Sequence, residues 1–281
     1  MKINEVIKEG RNVINNSLAV NIILAYILGK NKEYLISHSE EILENSKFEQ
    51  FISLINRHQR GEPISYITGK KEFFGLEFFV NKDVLIPRPE TEHLVEKIID
   101  LVNQEFKNKQ VKILDVGTGS GNIAVSLALN IKNYQITAAD ISEKALEVAQ
   151  INIRNHFLTD KIKLIQSDLL GNVTGQFDII VANLPYIGKV ENNYIAFEVE
   201  NFEPQIALFG GNHGLELYEK LFMQIKEKNC INSYLLGEIG FSQKEKLEQL
   251  IKKYFSNSEY QIFQDLAGFD RYFVVNLQYA G

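Results

Sequence analysis

The sequence is poor in cysteine and lacks both a long apolar run and an excess of basic charge. Its one cysteine, Cys230, cannot form an intramolecular disulfide or a thiolate metal cluster, so we interpret it as a core thiol in a reducing compartment. The most apolar segment, residues 18–28, is too short to span a bilayer. Residues 1–10 lack the apolar stretch of a secretory signal. These features predict a cytoplasmic protein that contacts no membrane.

The charge balance and the spacing of the histidines argue against further classes of protein. There are 30 Lys+Arg against 36 Asp+Glu, a net charge of −6, which argues against a non-specific nucleic-acid binder. The 5 histidines show no metal-ligand spacing, so we expect no metal site. A Gly-x-Ser-x-Gly nucleophile motif is also lacking.

The N-terminal residues predict a small helical domain. Apolar residues recur at helical spacing over 18–28, before Gly29, and over 48–55, before Gly61. We place this domain at residues 1–72.

An aromatic run marks the next segment. Residues 73–80 read as one strand, 81–83 as a turn and 84–86 as a second strand, after which Pro87 ends pairing. This pattern predicts a β-hairpin linker over residues 73–88, followed by a larger domain over residues 89–281.

In the larger domain, strands alternate with helices. Strands are predicted at 111–116, 135–139, 162–166, 177–182, 234–239, 260–263 and 272–277, and helices from 122, after 142, over 217–225 and over 247–251. This alternation is typical of an α/β fold with a doubly wound, mostly parallel sheet.

A glycine loop follows the first of these strands. The segment runs from Asp115 through Gly117, Thr118, Gly119, Ser120 and Gly121. Glycines allow a ligand to approach the backbone, and ligands of such sheets bind at the carboxyl ends of strands. Glycines at the first, third and fifth positions do not fit a dinucleotide fingerprint, and no Lys-Ser/Thr pair supports a phosphate loop. A plain tight turn is the alternative.

Two acids beyond this loop narrow the choice of ligand. Asp140 ends the second strand, where an acid can accept hydrogen bonds from both hydroxyls of a ribose. Asp168 follows the third strand, where it could accept from an adenine amine while Leu169 covers the ring. Either acid alone is commonly a cap or turn residue, but the ordered series indicates a nucleoside.

The strand at 177–182 leads into Asn183, Leu184, Pro185 and Tyr186. The Asn183 carboxamide oxygen and the Leu184 carbonyl are two acceptors that could hold both hydrogens of a planar NH2 group. Such acceptors orient a weakly nucleophilic nitrogen and favour the transition state, in which the nitrogen gains positive charge. Pro185 would stiffen the loop, and Tyr186 could stack on the planar group. The alternative is an ordinary turn.

These motifs resemble those of class I S-adenosylmethionine-dependent methyltransferases. Three further stretches sharpen the resemblance: Gly61–Gly69, Leu85–Glu92 and Glu203–Gly211. Together they are similar to the peptide chain release factor glutamine N5-methyltransferases, the PrmC/HemK family. The resemblance covers residues from about 61 to the end, including Asp265–Gly268 and Asp270–Arg271.

The resemblance implies a helical N-terminal substrate-recognition domain, a hairpin linker and a seven-stranded sheet whose last strand is antiparallel. It implies methyl transfer from S-adenosylmethionine, which becomes S-adenosylhomocysteine, to the glutamine of the Gly-Gly-Gln motif in bacterial class 1 release factors. Asp115, the loop 117–121, Asp140, Asp168, Leu169 and Asn183 would then contact the cofactor, and residues 183–186 the glutamine. We expect a monomer that does not bind nucleic acid directly.

One position departs from the family pattern, which is usually Asn-Pro-Pro-Tyr. Leu184 replaces the first proline, so the loop gains an N–H and a freer φ angle, and proline here is expected to maintain or raise activity. Asn-Leu-Pro-Tyr also resembles ribosomal RNA adenine dimethyltransferases, so an adenine N6-methyltransferase is the rival enzyme. A non-catalytic cofactor-binding module is the rival from another class.

Overall fold

The computed structural model describes residues 1–107, 109–190, 195–230 and 232–277. These form two compact units, Met1–Lys70 with Ile195–Phe202 and Lys71–Tyr194 with Glu203–Gly281. The predicted domain boundaries at 72/73 and 88/89 stay a prediction, and residues 278–281 lie outside the described residues. Within the described chain, no helix has the length and apolar character needed to cross a bilayer.

The first unit is helical, as predicted. Its helices are α1 (Ile3–Val13), α2 (Ser17–Leu28), α3 (Lys32–Ser37), α4 (Asn45–Gln59) and α5 (Ile64–Thr68). The Asn16 side chain caps α2 by accepting from the Ala19 N–H at 3.0 Å, and Gly29 ends it with φ +63°, because a left-handed residue stops a helix. The buried apolar faces share one core that includes Val6, Ile23 and Phe51.

A hairpin is present, but the predicted positions of its strands and turn are wrong. The strands are β1 (Lys70–Phe73) and β2 (Leu76–Phe79), so the turn lies at Phe74 and Gly75, whose φ angles are +53° and +70°. The aromatic run is therefore two strands around a tight turn, and Gly75 was the signal. Residues 84–86 form no strand; the Ile86 N–H instead donates to Glu203 Oε2 at 3.1 Å.

The remaining elements include the strands of the predicted sheet and a separate two-stranded pair. They are α6 (Glu92–Glu105), β3 (Val111–Val116), α7 (Asn122–Asn130), β4 (Tyr134–Asp140), α8 (Glu143–Asn155), β5 (Ile162–Gln166), β6 (Ile179–Ala182), β7 (Ile187–Gly188), α9 (Phe197–Phe202), β8 (Phe209–Gly211), α10 (Glu216–Glu227), β9 (Ser233–Glu238), α11 (Lys244–Tyr254), β10 (Glu259–Gln264) and β11 (Asp270–Leu277). Helix α9 belongs to the first unit. Helix α6 was not predicted, although its buried residues Leu94, Val95, Ile98 and Val102 have helical spacing.

Seven strands form the main sheet in the order β10-β11-β9-β6-β3-β4-β5. The pairs β9–β6, β6–β3, β3–β4 and β4–β5 are parallel, and β11 is antiparallel to both of its neighbours. The predicted fold class and the antiparallel last strand are confirmed. The carboxyl ends of β3, β4, β5, β6 and β9 consequently lie along one edge.

Side chains alternate between two cores, one on each face of the sheet. On β3, Ile113 packs in one core, whereas Leu114 and Val116 pack in the other. Period-two alternation with both faces apolar is typical of a central parallel strand covered by helices. Both faces of the sheet are therefore covered by apolar packing.

Gly237 on β9 provides a test of this packing. A Cβ added there would lie 2.6 Å from Phe273 Cε1 and 2.8 Å from the Tyr218 hydroxyl oxygen. We expect Gly237→Ala to lower the free energy of unfolding by about 1–3 kcal/mol, since overpacking forces buried groups apart, measured by urea denaturation. Gly75→Asn is the control, because no atom lies within 4 Å of a Cβ there. Equal stability of the two variants would contradict close packing at Gly237.

Candidate active site

The predicted site residues gather at the carboxyl edge of the sheet. One cavity is lined by Gly117, Thr118, Gly119, Ser120, Asp140, Asp168, Leu169, Asn183, Leu184 and Pro185. The remaining three candidates, Asp115, Gly121 and Tyr186, are not among its lining residues. The cavity therefore joins loops that follow β3, β4, β5 and β6.

The glycine loop is held in an unusual backbone conformation. Gly117, Gly119 and Gly121 have φ angles of +74°, +53° and +78°, where other residues are strained. The Gly117 and Thr118 N–H groups both donate to Ala139 O, at 2.8 and 3.0 Å. A Cβ at Gly119 would meet nothing within 4 Å, so this glycine serves the backbone conformation.

Asp115 lies beneath the loop and is fully buried. Its Oδ2 accepts from the Thr118 hydroxyl at 2.6 Å, while its Oδ1 has no hydrogen-bond partner among the described residues. Burial raises the pKa of Asp115 to about 7, and the nearby charge of Asp140 acts in the same direction. Asp115 thus bears on the cavity through Thr118.

Asp140 stands at the end of β4 with both oxygens hydrogen-bonded. Oδ2 accepts from the Gly119 N–H and Oδ1 from the Ser142 N–H, each at 2.9 Å. Burial raises its pKa, and these backbone bonds oppose that shift. A carboxylate oxygen has more than one acceptor site, so Asp140 can still accept from a ligand.

Asp168 and Leu169 lie at the same edge of the sheet, where Asp168 is partly exposed and Leu169 is buried. The Asp168 carboxylate forms an ion pair with Lys220 on α10, with Nζ–Oδ2 at 2.5 Å, and its side chain is 49% exposed. Leu169 is buried and has φ +51°, a strained value for leucine. This conformation places its side chain in the cavity lining.

The Asn183 side chain is held by its nitrogen. Nδ2 donates to Thr91 Oγ1 at 3.0 Å and to Glu238 Oε2 at 3.1 Å. Its Oδ1 has no partner among the described residues. The arrangement leaves the carboxamide oxygen as an available acceptor, as the sequence analysis requires.

The rest of this loop is fixed by packing and by its backbone. Leu184 is 3% exposed, and its Cδ2 lies 3.2 Å from where a Cβ of Gly117 would stand. The Tyr186 carbonyl accepts from Gln243 Nε2 at 2.7 Å, and its hydroxyl donates to Glu238 Oε1 at 3.3 Å. The two loops therefore touch through the Leu184 side chain.

Several supporting residues were missed by sequence reasoning. Thr91 and Glu238 are 1% and 2% exposed, and the Thr91 hydroxyl donates to Glu238 Oε2 at 2.6 Å. Burial raises the pKa of Glu238, whereas the Thr91 hydrogen bond and the Arg271 charge oppose the rise. The sequence did contain a signal for Glu238, because it is an acid at the end of the buried strand β9.

Two further contacts brace the cavity. Asn152 on α8 donates to Ser120 O and Phe79 O, at 2.8 and 2.9 Å, which ties the glycine loop to β2. Arg88 donates to Glu203 Oε1 at 2.5 Å. Both Arg88 and Glu203 lie in stretches that carried the family resemblance, although no role was predicted for them.

Among the described residues, no group of three or more His, Cys, Asp or Glu side chains could hold a metal ion. Cys230 is buried, and burial raises the pKa of its thiol.

Two family models match the chain. Residues 9–69 match the PrmC N-terminal domain, and residues 94–199 match the methyltransferase small domain. The chain is 36% identical over 256 residues to a release factor glutamine methyltransferase of Koribacter versatilis, covering 90% of this chain and 89% of the relative. It is 40% identical to a bifunctional methyltransferase of Rickettsia typhi, of which it spans about half, 52%.

Solved structures support the fold. The T. thermophilus 16S rRNA N2 G1207 methyltransferase RsmC, in complex with AdoMet and guanosine, superposes with a TM-score of 0.52 at 17% identity, over 74% of this chain and 49% of RsmC. Such low identity is evidence for the methyltransferase fold alone. The identity and coverage of the Koribacter relative go further: the chain belongs to the release factor glutamine methyltransferase family, whose N-terminal domain is named for PrmC.

Proposed function

We propose that the protein transfers a methyl group from S-adenosylmethionine to the side-chain amide nitrogen of the glutamine in the Gly-Gly-Gln motif of class 1 release factors. The observation that carries this proposal is the orientation of Asn183, whose Nδ2 is engaged by Thr91 and Glu238 while Oδ1 remains an acceptor. The names of the relatives support the same substrate. A substrate of this kind is met in the cytoplasm.

The residues present fit the cofactor. The glycine loop exposes backbone to the cavity at Gly119, where a Cβ would meet no atom within 4 Å, and Asp140 offers acceptor sites for ribose hydroxyls. Asp168 and Leu169 line the same cavity, at the position proposed for the adenine. The nearby carboxylates also suit a ligand that carries positive charge.

When bound, S-adenosylmethionine supplies an electrophilic methyl group. Asn183 Oδ1 and the Leu184 carbonyl accept the two hydrogens of the glutamine amide and turn its nitrogen lone pair toward that methyl group. As the nitrogen gains positive charge, its hydrogens become better donors, so both acceptors bind the transition state more tightly than the ground state. Orientation supplies most of the rate. The neutral amide nitrogen attacks, the sulfur would keep the electron pair of the broken carbon–sulfur bond, and one amide hydrogen leaves as a proton to water afterwards.

Labelled cofactor tests the substrate class. The protein is incubated separately with a class 1 release factor, with a variant of that factor whose motif glutamine is alanine, and with ribosomal RNA. We expect label on the first alone, because the two acceptors need an amide to hold. Labelled RNA would favour the adenine alternative, and no turnover with any of them would favour the non-catalytic module.

Replacement of Asn183 tests the amide pocket. We expect Asn183→Ala to lower turnover on the order of a hundredfold or more, by analogy with the loss of one transition-state hydrogen-bond partner. Cofactor affinity measured by calorimetry should change much less. Asn155→Ala, at the exposed end of α8, is the matched control. Turnover of Asn183→Ala close to that of this control would remove the pocket from the mechanism.

The structure revises the expectation for Leu184. Proline would remove the side chain that packs on Gly117. It would also remove the N–H of residue 184, whose backbone hydrogen bond to Tyr218 opposes the burial that raises the Tyr218 pKa. We now expect Leu184→Pro to lower both activity and the free energy of unfolding, the latter by about 2 kcal/mol or more.

Leu184→Ala separates the contribution of side-chain packing from that of the backbone N–H. Alanine loses the packing on Gly117 and keeps the N–H. Kinetics and urea denaturation of both variants would show which contribution is larger. Full activity and stability of Leu184→Pro would restore the original expectation that the loop lacks only rigidity.

A further inference from the structure

The Asn183 carboxamide has two ways to sit in its pocket, because its oxygen and nitrogen are nearly the same size. A 180° turn about the last side-chain bond would exchange them. Only one of these states presents an acceptor to the substrate. The hydrogen-bonding neighbours of Asn183 determine which of the two orientations is populated.

The proton count at Thr91 answers it. A threonine hydroxyl has one hydrogen, and here that hydrogen goes to Glu238 Oε2 at 2.6 Å. Thr91 Oγ1 can therefore only accept from Asn183, and Glu238 Oε2 likewise accepts from Asn183 at 3.1 Å. Both neighbours demand a donor, so the NH2 group must face them.

Glu238 is set up as an acceptor on both oxygens. Oε2 receives Thr91 and Asn183, and Oε1 receives the Tyr186 hydroxyl at 3.3 Å. Three donors converge on one buried carboxylate, the pattern that satisfies an ionised group in the interior. Burial raises the pKa of Glu238, and the hydrogen bonds from Thr91 and Tyr186 and the charge of Arg271 oppose that rise in favour of the ionised form.

We propose that Thr91 and Glu238 act as a positioning pair that locks the Asn183 carboxamide with Oδ1 toward the substrate nitrogen. This inference rests on the proposed function and deepens it by assigning roles to two residues whose side-chain oxygens bind each other and Asn183. A flipped carboxamide would set its oxygen against two acceptors and lose both hydrogen bonds. The locked state is therefore the populated one before substrate arrives.

The pair also makes Oδ1 a stronger acceptor. A hydrogen bond from Nδ2 to a carboxylate draws electron density through the planar amide toward its oxygen, because bonds in a chain polarise one another. The gain is largest when the substrate nitrogen becomes positive. The positioning pair should therefore affect kcat more than cofactor binding.

Thr91→Val provides the main test, because valine matches the shape of threonine and lacks the hydroxyl. We expect kcat to fall by about tenfold or more with little change in the cofactor Kd, the size seen when a group that orients a reactive residue is removed. Thr91→Ser is the conservative partner, and its hydroxyl should restore most of the turnover. Loss of activity in both variants would mean that packing, not the hydroxyl, is responsible.

The double variant separates positioning from a general structural role. In the Asn183→Ala background, Thr91→Val should change the residual kcat by less than about twofold, since effects that act through one residue are not additive. An equal fold-loss in both backgrounds would overturn the positioning role. So would full turnover of Thr91→Val alone in a preparation whose wild type is active.

A measurement without substrate keeps this inference apart from the proposed function. In spectra of 15N-labelled protein, the side-chain NH2 signals of Asn183 are identified by their disappearance in Asn183→Ala. Thr91→Val should shift one of these two protons upfield and speed its exchange with solvent, whereas Thr91→Ser should not. Unchanged signals in Thr91→Val would refute the lock, whatever the protein methylates; failure of the release factor assay with shifted signals would refute only the substrate.

Discussion

The architecture of the site depends on one buried carboxylate, that of Glu238. A charge in the interior is tolerated only when hydrogen bonds replace its lost hydration, and here the donors are Thr91, Asn183 and Tyr186. Thr91 directly precedes α6, whereas Asn183 and Tyr186 both lie in the loop after β6. Satisfying this one group therefore fixes the segment before α6, the loop after β6 and the end of β9 together.

The same logic extends to the other acids of the edge. Asp115 and Asp140 are both held by neighbouring donors, and burial raises the pKa of each. Several carboxyl groups near one cavity repel one another when ionised, and a cationic ligand relieves that repulsion. The electrostatics of the edge thus agree with a sulfonium cofactor, and they would disfavour an anionic ligand.

Features that are local in sequence could be predicted. The glycine loop, Asp140 and Asn183 each follow directly from a buried strand, and parallel strands bring such loops to one edge. The partners of Asn183 could not be predicted this way, because Thr91 and Glu238 are 92 and 55 positions away. The hairpin failed for a different reason: Phe74 adopts φ +53°, a value that its residue type argues against.

Leu184 indicates how the loop tolerates its departure from the family pattern. A proline restricts φ by its ring, a constraint within the residue itself. Leucine has no such constraint, but its side chain is buried against Gly117 and its N–H engages Tyr218. The Tyr218 hydroxyl in turn lies 2.9 Å from the Ala182 carbonyl oxygen and 2.6 Å from the Glu238 carbonyl oxygen, which share its single hydrogen.

The replacement of proline by leucine changes what holds the loop in its conformation. With proline, the loop would be stiff independently of its surroundings, whereas with leucine its conformation depends on the packing of Gly117. In this chain the two halves of the site are therefore in contact through the Leu184 side chain.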